Sequence, residues 1–200
     1  MKYSNIIFDF DGVIHDTFEF HLSKINEIYK LGLSKEEYKD AHNGNFYGAS
    51  SNKLKGIDWS VYASKVKKEQ SELVIDPKIK KDLEFLSNKY LLFLVSSGFR
   101  VQIEPYLRNN GVAHIFRETL FADDGKSKAD KLNRIVNGNK APRSSYVFIT
   151  DTLGDILEAN KVGLRSIAVT FGFHERERLE KGKPEHIVDT WSELMSILDK

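Results

Sequence analysis

The alternation of apolar and polar positions divides the chain into short buried strands and amphipathic helices. Runs of apolar residues, rich in branched or aromatic side chains and bounded by turn-forming residues, predict four strands, and a weaker run predicts a fifth. The four are residues 5–10, 91–95, 146–150 and 165–169, and the weaker one is 114–116. Apolar residues at helical spacing predict helices that start at Asp76-Pro77 and span 99–110, 128–136 and 152–161.

Strands and helices alternate from residue 76 onward. Such alternation predicts an α/β fold with a doubly wound parallel sheet, in which right-handed connections place helices on both faces. The ligand crevice of such a sheet lies beyond the carboxyl ends of its strands. We therefore expect the residues that carry chemistry to follow directly after strands.

Residues 16–75 break this rhythm, because they contain helical patterns and no convincing strand. Ser34 and Glu37 have the spacing of a capping box, Asp58 is a predicted helix cap, and residues 43–45 are a predicted turn. An insertion this long between two strands of one sheet is usually functional. The predicted organisation is a core of residues 1–15 and 76–200 with an inserted small helical unit of residues 16–75.

Composition narrows the possible partners. The chain has 200 residues, 40% of them hydrophobic, and its 30 basic and 29 acidic residues are interleaved, so that no surface for nucleic acid or an anionic membrane stands out. The absence of cysteine excludes thiol nucleophiles and thiolate zinc sites. The apolar runs at 6–8 and 90–95 are too short for a signal-peptide core or a membrane span, so we expect a cytoplasmic location. No pattern specifies an oligomeric state.

Two acids emerge at the end of the first predicted strand. Asp9 and Asp11 are separated by one residue, and strand alternation would direct both side chains to the same side. A hard cation bound by oxygen ligands would allow both acids to stay charged there. The alternative interpretation is a pair of helix caps at a strand-to-helix turn.

Further polar residues follow the other predicted strands. Ser96, Ser97 and Gly98 follow the second strand, where hydroxyl and amide donors could bind an oxyanion. Asp151 and Asp155 follow a later strand, and Lys128 lies at the start of a helix. Each has an ordinary alternative, a helix cap for the acids and a solvated surface position for the lysine, but these alternatives would have to coincide at one edge of one sheet.

The order of these motifs resembles that of the haloacid-dehalogenase-like superfamily. The matching features are Asp-x-Asp-Gly-Val at 9–13, an apolar strand followed by Ser96, then Lys128, and an apolar strand followed by Asp-xxx-Asp at 151–155. The resemblance extends over nearly the whole chain and is nearest to the phosphoglycolate phosphatase and β-phosphoglucomutase-like subgroup. It implies a Rossmann-like core, and it implies that residues 16–75 form a helical cap.

The resemblance also implies chemistry. Asp9 would be the nucleophile that forms an aspartyl phosphate, and Asp11 would act as general acid and base. Ser96 and Lys128 would hold the transferring phosphoryl group, with Ser97 in a supporting role. The implied substrate is a small-molecule phosphate ester.

The implied cofactor is Mg²⁺. Its ligands would be the carboxylates of Asp9 and Asp151 and the backbone carbonyl of Asp11, with Asp155 as a further ligand or as an orienting group. Such an ion would also offset the repulsion between the clustered carboxylates.

Several alternatives stay open within this resemblance. Ser97 competes with Ser96, and Lys126 competes with Lys128, which we prefer because it begins the predicted helix. The presence of Asp11 favours phosphoryl transfer over carbon–halogen cleavage, in which no leaving oxygen needs a proton. Residues 16–21 resemble the corresponding run of a sugar-phosphate mutase, so mutase chemistry is the second hypothesis.

A phosphoacceptor domain without enzymatic activity is the third hypothesis, although it leaves the insertion without an evident use. His21 is either a hinge or proton-control residue or an ordinary polar helix residue. We expect the insertion to set specificity, and His42, Asn45 and Arg100 are the candidate substrate contacts, with turn or surface positions as their alternatives. Gly98 is a candidate backbone contact to the substrate. Residues 171–174 resemble a loop of phosphoglycolate-phosphatase-like proteins.

Overall fold

A six-stranded parallel sheet forms the centre of the molecule. The structure is a computed structural model that describes residues 3–48 and 52–199. The strand order in the sheet is β3-β2-β1-β4-β5-β6. The strands are β1 (Asn5–Phe8), β2 (Leu91–Val95), β3 (Phe116–Leu120), β4 (Tyr146–Thr150), β5 (Arg165–Val169) and β6 (His186–Val188).

Helices connect the strands and form the insertion. The α-helices are α1 (Phe18–Tyr29), α2 (Lys35–Asp40), α3 (Trp59–Ser71), α4 (Pro77–Ser87), α5 (Arg100–Asn109), α6 (Lys128–Gly138), α7 (Leu153–Lys161), α8 (Arg176–Leu179) and α9 (Trp191–Leu198). Short 3₁₀ turns lie at Phe46–Gly48, Asn52–Leu54, Ala113–Ile115, Ala122–Asp124, Arg143–Ser145 and Glu180–Gly182. Within 3–48 and 52–199, none of the helices combines the length and the apolar character that crossing a membrane requires.

Both faces of the sheet are buried, which explains the continuous apolar strands. Successive residues of a strand point to opposite faces, so Ile6 and Phe8 join one core cluster while Ile7 joins another. Helices cover each cluster, and all four β1 side chains are buried. Apolar runs without alternation are typical of parallel strands covered on both sides. The predicted doubly wound α/β fold is confirmed.

The structure corrects the sequence interpretation at the ends and edges of the sheet. β1 ends at Phe8, so Asp9 and Asp11 follow the strand and are not aligned by its alternation. The predicted strand at 114–116 was wrong, because a 3₁₀ turn lies there and β3 begins at Phe116. β3 is an edge strand with a polar centre (Arg-Glu-Thr), and β6, the other edge, has only three residues, so neither gives a strong apolar pattern.

The regular elements of the insertion are all helical in its described residues, 16–48 and 52–75, and turns and loops connect them. Ser34 and Glu37 form the predicted capping box, and the Asp58 carboxylate accepts backbone N–H groups at the start of α3. The insertion has its own apolar cluster, which includes Phe18, Leu22 and Ile25. Residues 49–51 of the predicted unit lie outside the described residues. The boundaries of the unit at 16 and 75 stay a prediction.

Hydrogen bonds from several parts of the core hold the insertion. Buried Gln102 on α5 donates to the Gln70 side chain of α3 at 3.0 Å. The backbone N–H of Gly154 donates to the carbonyl of His42 at 2.9 Å. Arg178, only 8% exposed, donates to Asp40 at 2.9 Å and also to Glu36, and both acids belong to α2.

We expect Arg178→Met to lower the free energy of unfolding by about 1–2 kcal/mol, because Met keeps the packing and removes the charged hydrogen bonds. Amide hydrogen exchange should increase in residues 35–43, because α2 loses its anchor. Arg176→Met is the matched control, since Arg176 pairs with Asp189 at the surface, and its unfolding free energy should stay near that of the parent. Equal effects of both substitutions in denaturant unfolding would show that Arg178 does not anchor α2.

Candidate active site

A cavity of about 710 Å³, including its open mouth, lies between the carboxyl edge of the sheet and the insertion. Residues that follow β1, β2 and β4 form its floor, and α1, α2, α3 and the turn between α2 and α3 form its other side. The residues contributed by the core are Asp9, Asp11, Ser97, Gly98, Phe99, Gln102, Lys128, Asp151, Thr152, Asp155 and Phe173. Those contributed by the insertion are His21, Ile25, Tyr38, His42, Gly44, Phe46, Tyr47, Trp59 and Tyr62.

Asp9 is the most tightly held acid at the floor of the cavity. It follows β1 directly and is 3% exposed, and one of its carboxylate oxygens accepts the Phe10 N–H at 2.7 Å. The other oxygen accepts from Lys128 Nζ at 2.5 Å. Burial raises the pKa of Asp9 well above its ordinary value, against the lowering effect of the Lys128 charge, and the charges of Asp155 and Asp151 raise it further.

Lys128 joins two acids that are far apart in the chain. It is the first residue of α6, and its backbone N–H donates to the Glu158 carboxylate at 3.1 Å. Its buried ammonium donates to Asp9 and to Asp155, each at 2.5 Å. Burial lowers the pKa of Lys128, but the two carboxylates raise it more strongly, so the net pKa is above the ordinary value and the side chain is a cation.

Asp11 lies under the first helix of the insertion. One of its carboxylate oxygens accepts from Thr17 Oγ1 at 2.7 Å and lies 3.3 Å from His21 Nε2. The other accepts from Ser96 Oγ at 3.4 Å. Burial raises the pKa of Asp11, but the hydrogen bonds and charge of His21, with the Thr17 hydroxyl, lower it, and the net pKa is below the ordinary value. The insertion therefore sets the protonation of an acid that belongs to the core.

Asp151 follows β4 and packs against two glycines. A Cβ on Gly12 would lie 1.8 Å from Asp151 Oδ2, and a Cβ on Gly172 would lie 2.4 Å from the same atom. Asp151 Oδ2 accepts the Phe173 N–H at 2.7 Å, whereas Oδ1 is buried and has no hydrogen-bond partner among the described residues. Burial raises the pKa of Asp151 to about 8. Oδ1 is therefore the atom of this carboxylate that no described residue binds.

The acids fit a hard cation that is bound by few protein ligands. Across 3–48 and 52–199, no three His, Asp or Glu side chains form a ready-made metal cage. Mg²⁺ commonly binds through only one or two carboxylates, with water and substrate phosphate completing its shell. Asp151 Oδ1 has no hydrogen-bond partner among the described residues, and the pKa of Asp9 is raised. A cation bound by these two carboxylates would stabilise their charged forms. Asp155 is occupied differently, because its Oδ2 accepts from Lys128 and from Thr150 Oγ1.

The structure separates the two serines that follow β2. Ser97 and Gly98 line the cavity, whereas Ser96 is fully buried behind its wall. The Ser96 hydroxyl accepts the Gly98 N–H at 2.8 Å, and the Ser96 carbonyl accepts from the buried ammonium of Lys131 at 2.6 Å. Ser96 thus holds the loop that carries Ser97 and Gly98. The phosphate-binding role of Ser96 stays a prediction.

The candidate substrate contacts do not all reach the cavity. His21 and His42 line it, but Asn45 and Arg100 are outside its lining. The Asn45 amide donates to Glu158 at 3.0 Å and so connects the turn to the core, and Arg100 pairs with Asp124 at 2.8 Å. Lys126, the competitor of Lys128, is exposed, with its ammonium 4.0 Å from the ring centroid of Phe99.

Sequence reasoning missed the aromatic side of the cavity and the partners of Asp11. The missed lining residues with rings are Tyr38, Phe46, Tyr47, Trp59, Tyr62 and Phe99. Tyr38, Trp59 and Tyr62 occupy helix positions that are also typical of an ordinary core, whereas Phe46, Tyr47 and Phe99 lie in or next to turns without a helical pattern. Phe173 had a signal, since it lies in the loop at 171–174, and its N–H binds Asp151.

Comparison with curated proteins gives relatives of one kind. The chain is 28% identical to a phosphoglycolate phosphatase of Synechococcus elongatus over 109 residues, which cover 54% of this chain and 51% of that protein. It is 26% identical to a phosphoglycolate phosphatase of Pasteurella multocida over 130 residues, which cover 63% and 58% of the two chains. The chain thus matches little more than half the length of these curated relatives.

Solved structures share the fold over nearly the full length. A haloacid dehalogenase-like family hydrolase from Streptococcus pneumoniae superposes with a TM-score of 0.78 at 22% identity, covering 98% of both chains. A predicted phosphoglycolate phosphatase from Haemophilus somnus superposes with a TM-score of 0.79 at 19% identity, again covering 98% of both. At these identities the likeness establishes the fold alone.

The sequence model of one family matches most of the chain. The match runs over residues 6–169 and therefore includes the insertion and all the acids at the floor of the cavity. The motif order at 9–13, 96, 128 and 151–155 agrees with that match, as does the parallel sheet. The chain belongs to the haloacid dehalogenase-like hydrolase family.

Proposed function

We propose that this chain is a Mg²⁺-dependent phosphatase that hydrolyses a small-molecule phosphate monoester through an aspartyl phosphate on Asp9. One observation carries the proposal: Asp9, bound to the Lys128 ammonium at 2.5 Å, and Asp11, bound to Thr17 and His21, face the same cavity. The two acids thus have different environments, as a nucleophile and a proton-transfer group require. The names of the curated relatives support phosphatase chemistry.

In the first half-reaction, a carboxylate oxygen of Asp9 attacks phosphorus as the bond from phosphorus to the ester oxygen breaks. The departing oxygen takes the proton of the Asp11 carboxyl. The pKa of Asp11 is low before substrate binds. An arriving phosphate places negative charge beside Asp11, which raises that pKa and favours the protonated form.

In the second half-reaction, water attacks the phosphorus of the aspartyl phosphate. Asp11, now a carboxylate, accepts a proton of that water, and the bond between phosphorus and Asp9 breaks to release inorganic phosphate. Lys128 offsets negative charge on the phosphoryl oxygens in both steps, and the Ser97 and Gly98 backbone supplies hydrogen-bond donors.

The residues that would hold Mg²⁺ are Asp9, Asp151 and the backbone carbonyl of Asp11. The unpartnered Asp151 Oδ1 supports this assignment. When bound, the ion supplies charge that offsets the phosphate and lowers repulsion between it and the attacking carboxylate. Gly12 and Gly172 leave room for the Asp151 carboxylate, because a Cβ at either position would collide with it.

A small substrate is favoured because the insertion roofs the cavity. Hydrogen bonds at Gly154, Gln102 and Arg178 attach that roof to the core. A phosphate on a folded macromolecule would have to displace it. The cytoplasmic location expected from the sequence remains a prediction.

We expect Asp9→Asn to lower turnover of 4-nitrophenyl phosphate with Mg²⁺ by about 1000-fold or more, because the amide is a poor nucleophile. Asp130→Asn is the matched control, since Asp130 is exposed on α6, and it should retain parent activity. Release of nitrophenol checks both. Undiminished turnover in Asp9→Asn would contradict the role of Asp9 as nucleophile. Interconversion of sugar phosphates with slow release of inorganic phosphate would favour mutase chemistry over hydrolysis.

Replacing Lys128 by alanine should lower kcat much more than replacing Lys126. Lys128→Ala removes the one cation bound to Asp9, so kcat should fall by about 100-fold or more, whereas Lys126→Ala should stay within about threefold of the parent, because Lys126 is exposed. Steady-state kinetics on the same ester measures both. Loss of turnover in Lys126→Ala alone would reverse the assignment.

Removal of Mg²⁺ with a chelator should abolish turnover, and its return should restore it. In thermal unfolding, MgCl₂ at about 100 times its Kd should stabilise the parent by about 2.7 kcal/mol, because a ligand of the folded state alone stabilises it by mass action. Asp151→Asn should lose this stabilisation, and Asp130→Asn should keep it. An unchanged Mg²⁺ response in Asp151→Asn would remove Asp151 from the proposed site.

A further inference from the structure

The insertion side of the cavity is a continuous surface of rings, which we call the aromatic wall: Tyr38, His42, Phe46, Trp59 and Tyr62. Phe46 stacks on His42 with ring centroids 4.8 Å apart, and it contacts Trp59 at 4.7 Å. Trp59 in turn contacts Tyr62 at 5.7 Å. Phe46 and Trp59 are only partly buried, so part of their surface is left for a ligand.

Two polar atoms of the wall lie within hydrogen-bond distance of other protein atoms. The Tyr62 hydroxyl lies 2.8 Å from His21 Nδ1, and His42 Nδ1 lies 2.8 Å from the Tyr38 carbonyl. Burial lowers the pKa of His42 to about 4, so its ring is neutral at pH 7. What the wall offers to a ligand is therefore mainly apolar ring surface.

The charge of the cavity opposes a second anionic group on the substrate. The described lining contains one Lys or Arg side chain, Lys128, and its ammonium is bound to two carboxylates. The lining contains four acids, Asp9, Asp11, Asp151 and Asp155. The residues at 49–51, outside the described part, are Ala-Ser-Ser and add no charge. A carboxylate on the leaving group would lose its hydration without gaining a partner.

The cations nearest to the lining have other partners. Arg100 pairs with Asp124 at 2.8 Å and lies over the Phe121 ring. Lys126 lies over the rings of Tyr47 and Phe99, with centroid distances of 4.4 and 4.0 Å, outside the lining. Neither side chain supplies an anion site next to the aromatic wall.

The aromatic wall extends over five side chains from α2, α3 and the turn between them. The backbone hydrogen bond between Gly154 and His42 holds the turn after α2 against the core. A two-carbon leaving group would leave most of the aromatic wall without contact.

We propose that the preferred substrate is the phosphate monoester of an uncharged aromatic alcohol, whose ring packs on Phe46 and Trp59 while its phosphate reaches Asp9. This proposal rests on the proposed phosphatase function and names the substrate class for that site. It separates the chain from an enzyme for phosphoglycolate, whose leaving group carries a carboxylate.

The test compares esters that differ in charge and ring content. Benzyl phosphate, 4-carboxybenzyl phosphate, 2-phosphoglycolate and ethyl phosphate are assayed with Mg²⁺ by release of inorganic phosphate. We expect kcat/KM for benzyl phosphate to exceed that for 4-carboxybenzyl phosphate and 2-phosphoglycolate by about tenfold to 100-fold, because each acid carries an unpaired charge into the cavity.

Substitutions at the wall give a second readout. Trp59→Ala should lower kcat/KM for benzyl phosphate by about tenfold through loss of ring contact. Trp59→Arg should lower the ratio of kcat/KM for benzyl phosphate to kcat/KM for 4-carboxybenzyl phosphate, because it introduces a cation beside the ring site. Val61→Ala, on the same helix but 45% exposed and outside the lining, is the control and should match the parent. Thermal unfolding checks that each variant is folded.

The outcomes distinguish the two proposals. If all four esters remain intact, the phosphatase function itself fails. If the parent hydrolyses these esters but prefers 2-phosphoglycolate or 4-carboxybenzyl phosphate to benzyl phosphate, the phosphatase stands and the substrate class is wrong. A benzyl preference that persists unchanged in folded Trp59→Ala also overturns the assignment to the aromatic wall. If the Trp59 variants do not fold, the parent's preference among the esters decides.

Discussion

The contact between the Lys128 ammonium and the carboxylates of Asp9 and Asp155 is the interaction on which the floor of the cavity depends. Charges taken out of water cost several kcal/mol each unless they are paired and hydrogen-bonded. Lys128 is the one buried cation in this group, and it is held at the start of α6 by the Glu158 carboxylate. Its effect is uneven, because the pKa of Asp155 is lowered whereas those of Asp9 and Asp151 stay raised by burial. Additional positive charge near Asp9 and Asp151 would therefore stabilise their carboxylates.

The insertion is part of the chemistry as well as a roof. Thr17 and His21 come from its first turns, and both contact the Asp11 carboxylate. Burial raises the pKa of Asp11, and these two contacts lower it, so that the net pKa is below the ordinary value. The position of the insertion is thereby linked to the protonation of an acid that follows β1.

The two sides of the cavity have different physical characters. The sheet side contains charged groups, among which Lys128 pairs with Asp9 and Asp155, and it agrees with the motif pattern of the family. The insertion side is built mainly from rings, and the Tyr62 hydroxyl and His42 Nδ1 lie within hydrogen-bond distance of other protein atoms. A phosphate requires the first surface, and the rest of the substrate contacts the second. The reaction and the choice of leaving group are thus set by separate elements.

The four inner strands, the helical insertion and the acids at the strand ends were predictable from the sequence, because each depends on a local pattern or on adjacency in the chain. Edge strands β3 and β6 were misplaced or missed, since an edge strand needs little apolar surface. The sequence also placed Asn45 and Arg100 among the substrate contacts, and the structure directs both to protein partners. Three features came from the tertiary structure alone: Lys128 contacts Asp9, 119 residues away, Asp151 has an oxygen without a partner among the described residues, and rings from α2, α3 and the turn between them form one wall. These features depend on which distant residues approach each other when the core packs, and the spacing of residues along the chain does not encode such distances.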